Sequence, residues 1–193
     1  ADTVPPDRQP FSLPIGERPD PMVAYTAGAT EPWTANLLAA YIKAAEPKVV
    51  VETGSFSGET TRVLAEAMSQ VQGIGMLFTV EMDDARYEHV NKMVQETPFA
   101  GVGISVIHSD ALAFLRSAPT ESTDMIFLDD DHEALHVKLE LLEARRILRY
   151  GGACFVHDVM SLFNLAPVLK EFGGICLPLR RWHPSGGLGI MVK

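Results

Sequence analysis

Five short apolar runs, each followed by a stretch with helical spacing, constrain this chain more than any other feature. They are "KVVVE" (48–52), "MLFTVE" (76–81), "GISVIHSD" (103–110), "DMIFLD" (124–129) and "ACFVHD" (153–158). Runs of this length and composition read as buried strands. The first helix is expected from a Thr30 cap and Pro32, with an apolar stripe of Leu37, Leu38, Tyr41 and Ile42. Ser57 then caps a helix carrying Val63, Leu64, Ala67 and Met68, and Asp83 or Asp84 caps one carrying Tyr87, Val90 and Val94. A short helix runs through Phe114 and Leu115. A long one follows with a stripe at Leu135, Leu139 and Leu142, broadened by Val137, Leu141, Ala144 and Leu148, and ends at Gly151–Gly152. A last helix is expected near 162–172. Repeated strand–helix units imply a parallel sheet covered on both faces. "ICLPL" and "LGIMVK" close the chain with no helix between them, so they must be antiparallel.

The 193 residues suit one domain, spanning 31–193. Residues 1–30 stand apart: six prolines in the first 21 residues make an extended arm, which would serve as a lid or an oligomer contact. A net charge of −9 argues against nucleic-acid binding, which needs a basic face. No apolar stretch reaches membrane-spanning length. Two cysteines set no disulfide framework; Cys154 reads as core, and a cytoplasmic setting fits.

Chemistry-bearing residues gather where the strands end. "VVVETGSFSGETT" runs a strand through Gly54 and Gly58 into a helix start, where unpaired N–H groups meet a ligand. It is E-x-G-x-x-x-G, and so neither the dinucleotide fingerprint nor a phosphate-binding P-loop. Glu81 ends the second strand, where an acid can take both hydroxyls of a ribose. Asp110 ends the third and suits an adenine amino group or a helix cap; the two roles are compatible.

Motifs in this order resemble the class I S-adenosylmethionine-dependent methyltransferases: E-x-G-x-x-x-G, then Glu81, then Asp110, then "FLDDDH". The resemblance implies a three-layer Rossmann-like α/β fold of seven strands, order 3-2-1-4-5-7-6, with the last strand antiparallel. It implies S-adenosylmethionine as cofactor, with Glu52, Gly54, Ser55 and Gly58 shaping the methionine side. Glu81 and Met82 would lie at the ribose, Ser109, Asp110 and Ala111 at the adenine, and Asp129 beside the cofactor.

"HEALH" (132–136) also fits H-e-x-x-H, the zinc-protease helix motif. That chemistry needs both histidines on one face of a continuous helix, with a third ligand. Here the strand ends three residues before His132, which places it in a loop or first turn, and only Asp158 or Glu171 offers a further acid. His136 reads as the exposed side of a helix. A better reading takes the cluster Asp129, Asp130, Asp131 and His132 as a strand-end site facing the Gly54–Gly58 loop across the sheet's switch point.

The D-x-D-H form resembles the metal-dependent O-methyltransferases of small molecules, in particular their sugar-modifying branch. That resemblance implies Asp129 as metal ligand, His132 as catalytic base, and an ion (Mg²⁺ or Mn²⁺) completed from the end of strand five, here His157 and Asp158. His157 departs from the pattern, which has an acid there. A nitrogen donor shifts the preference towards Mn²⁺, Fe²⁺ or Zn²⁺, and the alternative is a histidine simply bonded to a neighbouring carboxylate. The implied reaction is methyl transfer to a hydroxyl of a small molecule, with a sugar or polyol as the acceptor class of the branch it resembles. Trp33, Arg181 and Trp182 are candidates to meet the acceptor, with "RRWHPSGG" as a second lid. A nucleotide-dependent oxidoreductase lacks its G-x-G-x-x-G and its Tyr-x-x-x-Lys pair here. A metal-dependent hydroxylase on the same fold and a non-catalytic binding domain remain as alternatives.

Overall fold

The computed structural model describes residues 30–71, 74–160, 165–178 and 187–193. Residues 1–29 of the arm and all of "RRWHPSGG" except its last glycine, including Arg181 and Trp182, lie outside the described residues, as does the first part of the helix expected near 162–172.

Thirteen elements follow in the expected alternation: α1 Pro32–Ala45, β1 Val49–Thr53, α2 Glu59–Ser69, β2 Gly75–Glu81, α3 Asp84–Glu96, β3 Val102–His108, α4 Ala111–Ser117, β4 Thr123–Leu128, α5 Ala134–Ile147, β5 Leu148–Val156, α6 Ala166–Glu171, β6 Ile175–Leu177 and β7 Leu188–Val192. They form one seven-stranded sheet, ordered β3-β2-β1-β4-β5-β7-β6. The first five strands pair in parallel, and β7 runs antiparallel to both β5 and β6.

The strand period of two sorts the core into two layers. Ile126, Leu128, Cys154 and Val156 face the layer of α5 and α6, where Val137, Leu141, Ala144, Ile147 and Leu169 are buried. Met125, Phe127, Ala153 and Phe155 face the layer of α1 and α2, against Leu38, Ile42, Leu64 and Met68. This alternation holds the two central strands rigidly, and the site residues lie just past their ends.

Four local expectations are corrected. Helix α5 ends at Ile147, not at Gly151–Gly152. Leu148 already pairs with Thr123, and the register shifts before Ala153, so the glycines lie in an irregular start of β5. The buried face of α5 is Val137, Glu140, Leu141, Ala144 and Ile147. Leu135 and Leu142 are exposed, which turns the expected stripe away from the core. Thr30 does not cap α1; Glu31 holds that position, and the Thr30 hydroxyl donates to Asp129 instead. Gly58, not Ser57, occupies the cap position of α2, in the left-handed conformation with φ +78°. Asp83 and Asp110 cap α3 and α4 through their side chains, as expected.

Candidate functional site

β1 and β4 lie side by side, with Thr53 opposite Leu128, and their connections leave to opposite faces of the sheet. A crevice opens past a pair of strands arranged this way. Here it is a cavity of about 740 Å³ walled by the 54–60 loop on one side and the 129–132 loop on the other. Gly54 makes the approach of the two loops possible. Its φ is +75°, and a Cβ there would collide with the Asp129 carbonyl and lie 2.8 Å from the Asp130 Cα. The Gly54 amide donates to the Val80 carbonyl (2.9 Å), and the Asp129 amide donates to that of Thr53 (3.2 Å), which ties both loops to the sheet.

Most of the residues expected on the cofactor side converge here. Gly54, Ser55, Glu81, Met82, Asp110 and Asp129 line the cavity. The Glu81 carboxylate accepts from the backbone amides of Phe56 (2.9 Å), Met82 (3.0 Å) and Asp83 (2.9 Å). These three donors fix its direction. Asp110 spends one oxygen capping α4 through the Ala113 amide (2.7 Å) and still faces the cavity. Met82 is 71 % exposed, an apolar surface offered beside Glu81. Gly58, Ser109 and Ala111 sit at the loop and helix starts behind this wall and do not line it. Sequence reasoning missed Phe56 and Arg86. Phe56 adopts φ +48°, and the Arg86 guanidinium carbon stands 4.6 Å from its ring centre, a cation–π contact across the glycine loop.

Glu52 is placed differently from its neighbours in the motif. It is fully buried beneath the loop, where one oxygen accepts from the hydroxyls of Thr61 (2.5 Å) and Thr79 (2.7 Å). Burial pushes its pKa up to about 7, against the lowering effect of those two bonds. An acid whose folded pKa is raised gives stability that is full below its unfolded value of 4.5 and is lost as pH rises through 7. The span corresponds to about 3 kcal/mol. Glu52→Gln keeps an acceptor for both threonines and removes the charge. The expected result in urea unfolding is that wild type loses about 3 kcal/mol more than the variant between pH 4.5 and pH 8. Parallel pH dependence in the two proteins would refute the buried-charge account.

The second half of the site is a chain of charges running from α1 to the ends of β4 and β5. His157 Nδ1 lies 2.7 Å from Asp129 Oδ1, and its Nε2 lies 2.7 Å from Glu31 Oε2. Thr30 Oγ donates to the other Asp129 oxygen at 2.6 Å. Burial would lower the His157 pKa, but the Asp129 charge, hydrogen bonds to Asp129 and Glu31, and the Asp158 charge raise it to about 11. Burial pushes Glu31 up in turn, yet its bond to His157 takes it below the ordinary carboxylate value. His157 is therefore a cation held between two carboxylates. Glu31, 126 residues away in sequence, was not foreseen. His132 faces the cavity with Nε2 3.7 Å from Asp129 Oδ1. Trp33 does not line the cavity.

Asp129, His157 and Asp158 do not fit a single metal ion in this arrangement. Asp129 meets Nδ1 of the imidazole, and Asp158 is on the Nε2 side, at 3.8 Å. One ring cannot offer both nitrogens to one ion, so the anticipated set divides across His157. The possible ligand groups that share His157 are Asp129 with His132, or Glu31 with Asp158.

His136 is half-buried rather than exposed, with Nε2 3.1 Å from Asp130 Oδ2 and 3.8 Å from Glu140 Oε2. The zinc-protease reading fails on geometry as expected: α5 begins at Ala134, so His132 is in the loop before it.

Comparison with known proteins agrees with this architecture. The family model described as "Methyltransferase domain" matches residues 51–159. A candidate O-methyltransferase of Mycobacterium sp. (strain KMS) is 31% identical over 134 residues, covering 68% of this chain and 57% of its own length. The counterpart from strain JLS is 32% identical over the same shares. The chain thus spans little more than half the length of these relatives. The O-methyltransferase from Bacillus cereus, solved with S-adenosylhomocysteine, superposes with a TM-score of 0.66 at 15% identity, covering 87% of this chain and 84% of that one. The O-methyltransferase TomG from Streptomyces achromogenes, solved with S-adenosylmethionine, gives 0.65 at 19% identity, covering 86% and 81%. No helix among the described residues is long and apolar enough to cross a membrane. From the family match, the mycobacterial relatives and the strand order, the chain belongs to the methyltransferase-domain family, within the class I S-adenosylmethionine-dependent methyltransferases.

Proposed function

We propose that this chain transfers the methyl group of S-adenosylmethionine to a hydroxyl oxygen of a neutral, polyhydroxylated small molecule such as a sugar. The observation that carries the reading is that one cavity joins Glu81, a carboxylate oriented by three backbone donors, to an imidazole, His132, across the switch point. Its volume of about 740 Å³ is in the range of small-molecule sites.

In this reading Glu81 accepts from the ribose hydroxyls, because its backbone donors already point it there. The Asp110 oxygen not used in capping accepts from the adenine amino group, with Met82, Ser109 and Ala111 around the ring. Gly54, Ser55 and Gly58 let the methionine part approach the backbone, and Glu52 supports the loop from below. The sulfonium carbon–sulfur bond breaks as the new carbon–oxygen bond forms, and the hydroxyl proton passes to His132. Asp129, within 3.7 Å, stabilises the imidazolium that results. Holding the two centres in line supplies a large part of the rate. No step runs through an ion at Asp129, His157 and Asp158, which do not converge. His157 and Glu31 instead keep Asp129 in place.

Charge supports the exclusion of anionic acceptors, and the sugar or polyol reading rests on the D-x-D-H resemblance. Glu81, Asp110, Asp129, Asp130, Asp131 and Asp158 all line the cavity, and such a wall repels anions. The mycobacterial candidate O-methyltransferases and the cofactor-bound Bacillus and Streptomyces enzymes are consistent with this chemistry. Calorimetric titration of the full chain should show binding of S-adenosylmethionine and of S-adenosylhomocysteine. Binding of neither would remove the basis of the proposal, and tightly held iron in its place would favour the hydroxylase alternative.

A further inference from the structure

We infer that Asp130, His136 and Glu140 form a binding site for a divalent transition-metal ion such as Zn²⁺ or Mn²⁺, separate from the Asp129–His157 pair. His136 and Glu140 are four apart on α5 and share one face of it. Asp130 reaches them from the loop after β4. Asp130 Oδ2 stands 3.1 Å from His136 Nε2, which stands 3.8 Å from Glu140 Oε2, and one ligand atom from each residue lies within 4.8 Å of the other two. A metal bound at about 2.0–2.2 Å to nitrogen and oxygen holds its ligands roughly 3–3.5 Å apart. The three atoms therefore need only small movements to close on an ion.

Glu140 shows that this is more than a group of surface acids. It is 0 % exposed, in the middle of the buried face of α5, and neither carboxyl oxygen has a hydrogen-bond partner of good geometry. Its carboxyl lies 3.8 Å from His136 Nε2 and within 4.8 Å of the Asp130 carboxylate, beside the position the ion would take. A buried carboxyl is ordinarily paired, bound to metal or held neutral by its burial. The Thr53 hydroxyl donates to the other Asp130 oxygen at 2.9 Å, which turns Oδ2 towards His136. Support of this kind orients metal ligands. One nitrogen and two carboxylates suit zinc or manganese better than magnesium. Asp130 and His136 line the cavity and Glu140 does not, so the open side of the site faces the cavity, where water or an acceptor oxygen completes the coordination.

The inference does not depend on methyl transfer, and its test uses the metal alone, without S-adenosylmethionine. The full chain, stripped with a chelator and desalted, is titrated with Zn²⁺ and separately with Mn²⁺ by calorimetry. Native mass spectrometry counts the ions. Wild type should bind one ion per chain. Glu140→Gln and His136→Ala should weaken binding at least tenfold, and His132→Ala and Asp158→Asn should bind as wild type does. Circular dichroism checks folding, and His136→Ala, at a half-buried position, carries the test if the Glu140 variant does not fold. The inference is overturned if wild type binds no ion. It is equally overturned if His132→Ala or Asp158→Asn loses the ion and His136→Ala keeps it.

Discussion

Gly54→Ala is expected to lower the thermal unfolding midpoint by roughly 10 °C and to abolish S-adenosylmethionine binding, and Gly151→Ala to shift the midpoint by only a few degrees with binding intact. The two glycines have nearly the same positive φ, +75° and +81°. An alanine in that region costs about 1–2 kcal/mol at either position. They differ in what surrounds them. A Cβ at 151 meets nothing within 4 Å, and one at 54 runs into the Asp129 carbonyl and the Asp130 Cα. Those atoms are backbone and cannot swing away as a side chain would. Overpacking of this kind adds about 1–3 kcal/mol and is relieved only by moving the strand-four loop. That loop carries Asp129, Asp130 and His132, so relief of the clash deforms the site itself. Equal midpoint shifts in the two variants would show that the close approach of the loops has no energetic consequence.

The same crowding explains which parts of the molecule were legible in the sequence. Parallel strands buried on both faces leave continuous apolar runs, so the inner parallel strands were readable from residues such as Val50–Val51 and Met125–Leu128. The end of α5 was not. Leu148, Arg149 and Tyr150 contain no turn residue, and the first glycine comes after β5 has already begun. The stripe of α5 misled for a different reason. Leu135, Leu139 and Leu142 repeat with helical spacing, but the face that packs on the sheet accepts a carboxyl, Glu140, which no hydrophobic count would place inside.

At the site, the cluster "DDDH" was visible, but the separate job of each residue was not. Asp129 and Asp130 are consecutive at a strand end, so their side chains part: one turns to His157 and Thr30, the other to Thr53 and His136. Glu31 is brought to His157 by the whole course of α1 across the sheet, a contact that no local pattern encodes. "HEALH" misled because the spacing of two histidines says nothing of where the helix begins. With α5 starting at Ala134, the pair on one helical face is His136 and Glu140.

His132→Ala is expected to reduce turnover by about 10²–10⁴-fold and leave S-adenosylmethionine binding within a small factor of wild type. Among the described residues three imidazoles line the cavity, and their surroundings separate them. His157 is engaged at both nitrogens, by Asp129 and by Glu31, each at 2.7 Å, so it cannot take a proton from an acceptor. His136 turns its Nε2 to Asp130 and Glu140, inside the proposed metal group. His132 lies in the loop after β4, with Nε2 3.7 Å from Asp129 Oδ1, near enough for the carboxylate to favour the imidazolium as it forms. Its ring is part of the cavity wall formed by the strand-four loop, whereas of the residues proposed to hold the nucleoside Glu81 ends β2 and Asp110 follows β3. Removing the imidazole should therefore take away proton acceptance and leave the cofactor's own contacts standing. The measurement is formation of S-adenosylhomocysteine from S-adenosylmethionine over a panel of neutral sugars and polyols, paired with calorimetry of cofactor binding. Turnover at the wild-type rate would place the base elsewhere. Loss of cofactor binding together with turnover would make His132 part of the cofactor wall and not the group that accepts the proton.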